Sequence, residues 1–161
     1  MKEAPHERAI AATKHSEAVL ARIRGVDLIV SQIVHWPTFH DFEVISVALE
    51  RSPLPNLISK ELRAVFYIFN LQAAHGTRER RPGHAEIVFH DIDELCIRGF
   101  NYQNPIMGLG LKLSRCERLK RDVLDVEWGG TCMAHDVNFR CDRITIVRVI
   151  DLDPFGKGAN A

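Results

Sequence analysis

An α+β fold is the architecture this sequence predicts: a single domain with a largely antiparallel sheet of about seven to eight strands and one or two N-terminal helices. Three observations lead there. Good helix formers concentrate near the N-terminus, apolar residues alternate with period two in run after run beyond Asp41, and the connections between those runs are mostly short.

Glu7 to Arg22 is rich in Ala, Glu, Lys and Leu, which lose little side-chain freedom in a helix. Its apolar stripe of Ile10, Ala18, Val19 and Ile23 is interrupted by Lys14 and His15, so the spacing predicts a surface helix. Gly25 suits its end, and Asp27 suits a cap for the next helix because a carboxylate accepts free backbone N–H groups. In Leu28 to His35, Ile29, Ile33 and Trp36 fall on one helical face. A short helix is the better reading there, although Val and Ile also favour strands. Pro37 disfavours helical geometry at Trp36 and ends it.

The pattern then changes to strands. Glu43 to Arg51 alternates, with Ile45, Val47 and Leu49 on one face, before Ser52-Pro53-Leu54-Pro55-Asn56 forces a loop. Glu61 to Asn70 is apolar on both faces, Leu62, Ala64, Phe66 and Ile68 against Val65, Tyr67 and Phe69, as a strand covered on both sides would be. His75 to Gly83, with Gly76, Arg78, Arg80, Arg81 and Pro82, reads as an exposed mobile loop. Strand signals resume at Ala85 to Phe89 and at Leu95 to Ile97. His90-Asp91-Ile92-Asp93-Glu94 between them suits a hairpin turn, where Asp side chains bond nearby backbone. Met107, Leu109, Leu111 and Leu113 alternate with Gly108, Gly110 and Lys112, a strand whose bare face bends the sheet or admits a large side chain. Leu124, Val126 and Trp128 mark another strand, Val137, Phe139 and Cys141 the next, and Ile144 to Ile150 the last. Residues 1–27 thus read as a helical extension, 28–151 as the α+β domain and 152–161 as a disordered tail.

Composition narrows the function classes. Basic and acidic residues balance at 21 each, which argues against the broad basic face that nucleic-acid binding requires. Local basic clusters at Arg78, Arg80 and Arg81 and at Arg115, Arg118, Lys120 and Arg121 read as solvated loop charge. No apolar run approaches the ~20 residues of a membrane span, and the charged start of the chain lacks a secretory core. A cytoplasmic protein is expected. Cys96, Cys116, Cys132 and Cys141 form no close pair, so free thiols are expected rather than a zinc site or disulfide.

Chemistry has few footholds. His40-Asp41, with Glu43 two residues on, is the one tempting acid–base group, and a small hydrolase-like enzyme using it is an alternative reading. Adjacent strand residues point to opposite faces, however, so His40 and Asp41 do not naturally form a dyad. His84, His90, Asp91 and Asp93 carry metal-capable donors, but His84 and His90 are ~20 Å apart along an extended strand. No metal or cofactor is expected. No nucleophile elbow, phosphate loop, dinucleotide fingerprint or zinc-protease helix occurs. More unusual is Gly99-Phe100-Asn101-Tyr102-Gln103-Asn104-Pro105, where three carboxamides flank aromatic rings between apolar strands. Carboxamides both donate and accept, so they either close an irregular connection or read a partner's backbone.

Taken in order, Trp36-Pro37-Thr38-Phe39-His40-Asp41-Phe42-Glu43-Val44, Leu95-Cys96-Ile97-Arg98-Gly99-Phe100-Asn101-Tyr102-Gln103-Asn104 and Phe139-Arg140-Cys141 resemble the immunity protein 50 family of bacterial polymorphic-toxin systems. The resemblance runs from about Leu28 to Asp151. It departs from the family pattern at Phe42, where a small residue is usual, and at Tyr102, where a histidine is usual. What it implies is a cytoplasmic protein without catalysis that binds and neutralises a cognate toxin, by shape and charge complementarity. Trp36, His40, Asp41, Asn101, Tyr102, Gln103 and Asn104 are the binding residues it suggests. A self-associating interaction domain, joined through a sheet edge or the surface left by Gly108 and Gly110, is a further alternative, and a homo-oligomer is compatible with either reading.

Overall fold

The computed structural model describes residues 17–33, 37, 39, 40, 42–51, 60–72, 80–99, 105, 106, 108–129 and 136–152. Among the described residues the chain is mostly β, with nine strands in two sheets. The order along the chain is α1 (Glu17–Leu20), β1 (Ile23–Arg24), α2 (Val26–Ile33), β2 (Glu43–Arg51), β3 (Lys60–Gln72), β4 (Arg80–His90), β5 (Asp93–Arg98), β6 (Leu109–Cys116), β7 (Arg121–Gly129), β8 (Asp136–Cys141) and β9 (Arg143–Asp151). A five-stranded sheet runs β1-β9-β4-β3-β2 and a four-stranded sheet runs β5-β8-β7-β6. All pairings are antiparallel except β1 with β9. The expected single sheet of seven to eight strands is therefore two sheets, because the chain changes sheet after His90, where a hairpin is expected from sequence, and again after Cys141.

Period-two burial explains the layering. Leu62, Ala64, Phe66 and Ile68 of β3, Ala85, Ile87 and Phe89 of β4 and Ile144 and Ile146 of β9 line the inner face of the larger sheet. Leu109 and Leu111 of β6, Leu124, Val126 and Trp128 of β7 and Val137, Phe139 and Cys141 of β8 join them in one continuous core. Trp128 is the bridge: its ring lies 5.5 Å from those of Phe66 and Phe89 of the other sheet and 5.5 Å from Phe139 of its own. Edge-to-face and tilted pairs of this kind add attraction beyond their buried area. Helix α2 packs against β9 and β3 through Ile29, which is fully buried, and α1 lies against β6.

Several sequence expectations are corrected by this arrangement. The helix over Glu7 to Arg22 is described only from Glu17, and it stops at Leu20; Ala21 and Arg22 turn into β1, whose two residues escaped the sequence reading. Asp27 lies inside the first turn of α2 rather than capping it, with Gly25 (φ 76°) ahead of the helix and its carbonyl accepting from Leu28 N–H at 3.0 Å. In β2 a bulge between Val44 and Ser46 breaks the expected row, so Val44 is buried while Ile45 and Leu49 are 47% and 58% exposed. Only one face of β3 is covered: Phe69, on the other, is 56% exposed. The expected loop of His75 to Gly83 is strand from Arg80 onward, because Arg80 and Arg81 pair with Gln72 and Leu71. Asp91 and Ile92 do not close a hairpin; they carry the chain from the larger sheet to the smaller, with Asp91 at φ 54°. At Gly110 the bare face is filled by Glu127 of β7, whose Cγ would lie 2.8 Å from an added Cβ. The readings of the Pro53–Asn56 loop, of Cys132 and of the 152–161 tail beyond Leu152 lie outside the described residues.

Candidate functional site

The first sequence motif forms a turn where β2 begins. Phe39 is fully buried, with its ring 4.9 Å from that of Phe42 and 5.7 Å from that of Phe66. Its backbone is left-handed, φ 61°, which costs a residue with a Cβ about 1–2 kcal/mol. Burying an aromatic ring of this size offsets that cost, since full burial of a large apolar side chain contributes about 1.5–3 kcal/mol. The result is a turn closed by Phe42 N–H donating to the Phe39 carbonyl at 3.2 Å, with His40 exposed at its apex.

The chain that follows the carboxamide motif is stitched to this turn. Ile106, buried, donates its N–H to the Phe42 carbonyl at 2.8 Å, and Pro105 forms an antiparallel bridge with Glu43. Segments about sixty residues apart in sequence therefore share one edge of the fold. Of the residues singled out from sequence, His40 stands at this edge; Trp36, Asp41, Asn101, Tyr102, Gln103 and Asn104 lie outside the described residues. Glu43 is half-buried and pairs across to Tyr67 of β3. The third motif is architecture: Phe139 and Cys141 are in the core, and Arg140 donates to Asp125 at 3.0 Å and to Glu94 at 2.9 Å.

A second polar arrangement covers the outer face of the larger sheet. Arg63 of β3 reaches Glu50 of β2 at 3.8 Å and pairs with Glu86 of β4, while Arg148 Nε of β9 donates to the other Glu86 oxygen at 2.6 Å. Charges thus alternate across four neighbouring strands. The Arg63 hydrogen bond, and next the Arg148 one, hold the Glu86 carboxyl below its usual range against the opposing effect of burial. One row along, His90 bonds Glu61 through Nδ1 and Thr145 through Nε2, both at 2.8 Å. At the far end Tyr67 sits 4.7 Å from Phe69 and 5.7 Å from His84 between ring centres, and burial lowers the His84 pKa. Sequence reading missed this face. The available signal was a charged or hydrogen-bonding residue at alternate positions of β3 and β4 opposite the apolar ones, but Val65, Tyr67 and Phe69 led to the reading of β3 as apolar on both faces.

The remaining candidate chemistry separates in space. His84 and His90 occupy different rows with different partners, and among the described residues no group of three or more His, Cys, Asp or Glu is arranged to hold a metal ion. Cys96, Cys116 and Cys141 are free thiols, and burial pushes the Cys141 thiol up to about 12. The basic cluster at the β6–β7 turn is internally matched: Arg115 with Asp122, Arg118 with Asp93, Lys120 with Glu117 and Arg121 with Asp142. No helix among the described residues is long and apolar enough to cross a membrane. What fold and site define together is a mostly-β domain of two packed sheets with a hydrogen-bonded turn at one edge, where Phe42 and Glu43 meet Ile106 and Pro105. Comparison with protein-family models, with curated proteins and with solved structures finds no match to this chain.

Proposed function

We propose that this chain is an immunity-type protein: a cytoplasmic, non-catalytic binder that neutralises a cognate bacterial toxin, as its resemblance to the immunity protein 50 family implies. The observation that supports the reading is that the turn of the first family-like motif is tied to the residues that directly follow the second, through Ile106 on Phe42 and Pro105 on Glu43. A residue lifted into solvent by a buried aromatic in a left-handed turn, as His40 is by Phe39, suits a rigid recognition point. Rigid edges of this kind bind without a large ordering cost. The polymorphic-toxin system implied by the family supplies the partner, a toxin encoded next to the immunity gene, and the matched charges of the chain favour neither nucleic acid nor membrane as an alternative.

The test is co-expression with the toxin encoded beside this gene. Growth rescue together with a complex that survives gel filtration is the expected result. A toxin that still arrests growth, and that does not co-purify, would overturn the proposal. His40→Glu is expected to weaken the complex by about tenfold or more, a larger effect than its change in thermal stability, since the residue is exposed.

A further inference from the structure

We infer that the toxin docks on the outer edge of β2 from Ser46 to Arg51, adding an extended segment of its own as a further antiparallel strand; this deepens the proposed function and rests on it. The argument starts from the strands that end the two sheets among the described residues, β1 and β2 in the larger and β5 and β6 in the smaller. An edge strand presents backbone N–H and C=O groups without a ladder partner, and folds normally blunt it. Strand β1 has only two residues, and β5 is bulged between Asp93 and Cys96 with Glu94 left-handed at φ 52°. Strand β6 carries Lys112 and Arg115 and has α1 against it. By contrast β2 is nine residues long and holds neither proline nor lysine. Its bulge lies at Ile45, so Ser46 to Arg51 pair with Val65 to Lys60 without a register shift. Alternate residues of such a stretch face away from β3, which leaves about three N–H and three C=O groups aimed outward. The same side of β2 already takes one antiparallel contact at its start, the Pro105 bridge to Glu43.

Side chains define what the added strand carries. Ile45 and Leu49 are 47% and 58% exposed, although Leu62, level with Leu49 in β3, is fully buried. This end of β2 therefore offers apolar surface beside its open backbone. Glu50 lies level with Glu61 and Arg51 with Lys60, two like-charged pairs side by side, which destabilise a ladder. Glu61 is answered by His90 at 2.8 Å, whereas the nearest cation paired with Glu50 is Arg63, at 3.8 Å. A strand with an acidic residue opposite Arg51, a basic one opposite Glu50 and an apolar one opposite Leu49 supplies what β2 lacks. A second copy of β2 does not. Paired about Leu49 it sets Glu50 against Ala48 and Arg51 against Val47, and paired about Glu50 it sets two carboxylates together. Any pairing nearer Glu43 meets the bulge and the Pro105 bridge.

Hydrogen–deuterium exchange of the full chain, free and mixed with the toxin encoded beside its gene, tests this by mass spectrometry of peptides spanning β2. Exchange across Ser46–Arg51 is expected to slow by about tenfold or more in the complex. Leu49→Lys and Glu50→Lys are each expected to weaken the complex by about tenfold or more. Glu50→Lys also removes the like-charge pair with Glu61, so its thermal stability is expected to be no lower than native and lost binding is not misfolding. A complex that forms and rescues growth while β2 exchanges as in the free chain, or that both variants leave intact, overturns the inference and leaves the immunity reading standing. Absence of both complex and rescue overturns that reading and this inference with it. Exchange of β2 that slows in the free chain as its concentration rises assigns the edge to a second copy and overturns the inference equally.

Discussion

Glu86 is the residue on which pH dependence turns. Two guanidiniums from neighbouring strands hold its carboxyl below the ordinary 4.5, Arg63 most and Arg148 next. A group whose folded pKa is depressed stabilises the fold above its unfolded pKa and loses that contribution as pH falls through the folded value. Glu86→Gln is therefore expected to destabilise the protein by about 1–2 kcal/mol near neutral pH, because the pairs are partly screened by solvent. The gap from native protein should close as pH falls below the ordinary carboxyl range and through the depressed folded value. Urea unfolding of both proteins across that pH range checks it, and an unchanging gap would show that the charge is not the cause. Cys141 makes the opposite case. Its thiol, raised to about 12 by burial, carries almost no thiolate near neutrality. Iodoacetamide at about pH 8 is expected to leave Cys141 unmodified until denaturant is added, whereas half-buried Cys96 reacts in the folded protein. Peptide mass spectrometry reads the difference.

At the scale of elements, two glycines that look alike in sequence have different consequences. At Gly25 the backbone is at φ 76° and an added Cβ would lie 2.5 Å from the Ile146 carbonyl oxygen of β9. Neither strain can relax without moving the junction of β1 and α2. Gly110 has an ordinary backbone, and its added Cβ would meet only the Glu127 side chain, which is exposed and free to swing aside. Gly25→Ala is expected to cost more than ~2 kcal/mol and Gly110→Ala less than ~1 kcal/mol in denaturant unfolding. The same contrast shows what was legible in the sequence. Strands β7, β8 and β9 were readable because alternating apolar residues face one core and charged or turn residues flank them, and β2 was readable in its extent although its expected apolar row is largely exposed. The bulge after Val44 was not, since it depends on how β3 lies beside β2. Nor were the sheet changes after His90 and Cys141, because a turn rich in Asp closes a hairpin or crosses between sheets with equal local chemistry. Of the candidate site, His40 was named but not the joining of its turn to the chain at Ile106. The Phe42–Ile106 hydrogen bond joins positions that no periodicity relates, and the diagonal of charges across β2, β3, β4 and β9 exists only once four strands are in register.

For the whole molecule the decisive question is what holds one sheet on the other, and the aromatic cluster answers it. Trp128 of the smaller sheet touches Phe66 and Phe89 of the larger, and Phe89 in turn lies 5.0 Å from Phe139 of the smaller. Every contact in that cluster except the one between Trp128 and Phe139 crosses the interior, so its loss weakens both sheets at once. Among the described residues the indole N–H of Trp128 has no hydrogen-bond partner, although the side chain is almost completely buried. A buried donor left unpaired is a penalty that the ring's apolar contacts must exceed. The two parts of the side chain therefore oppose each other, and substitution separates them. Trp128→Phe keeps most of the bridging surface and removes the unpaired donor, leaving only a small void, and is expected to cost less than ~1.5 kcal/mol. Trp128→Ala removes the bridge and opens a cavity between the sheets, and is expected to cost about 3–5 kcal/mol. Equilibrium unfolding followed by far-ultraviolet circular dichroism measures both without relying on tryptophan emission. Equal losses for the two variants would mean that the indole nitrogen contributes favourably after all, and that the sheets are joined by a polar contact at the centre of the core rather than by the packing of rings.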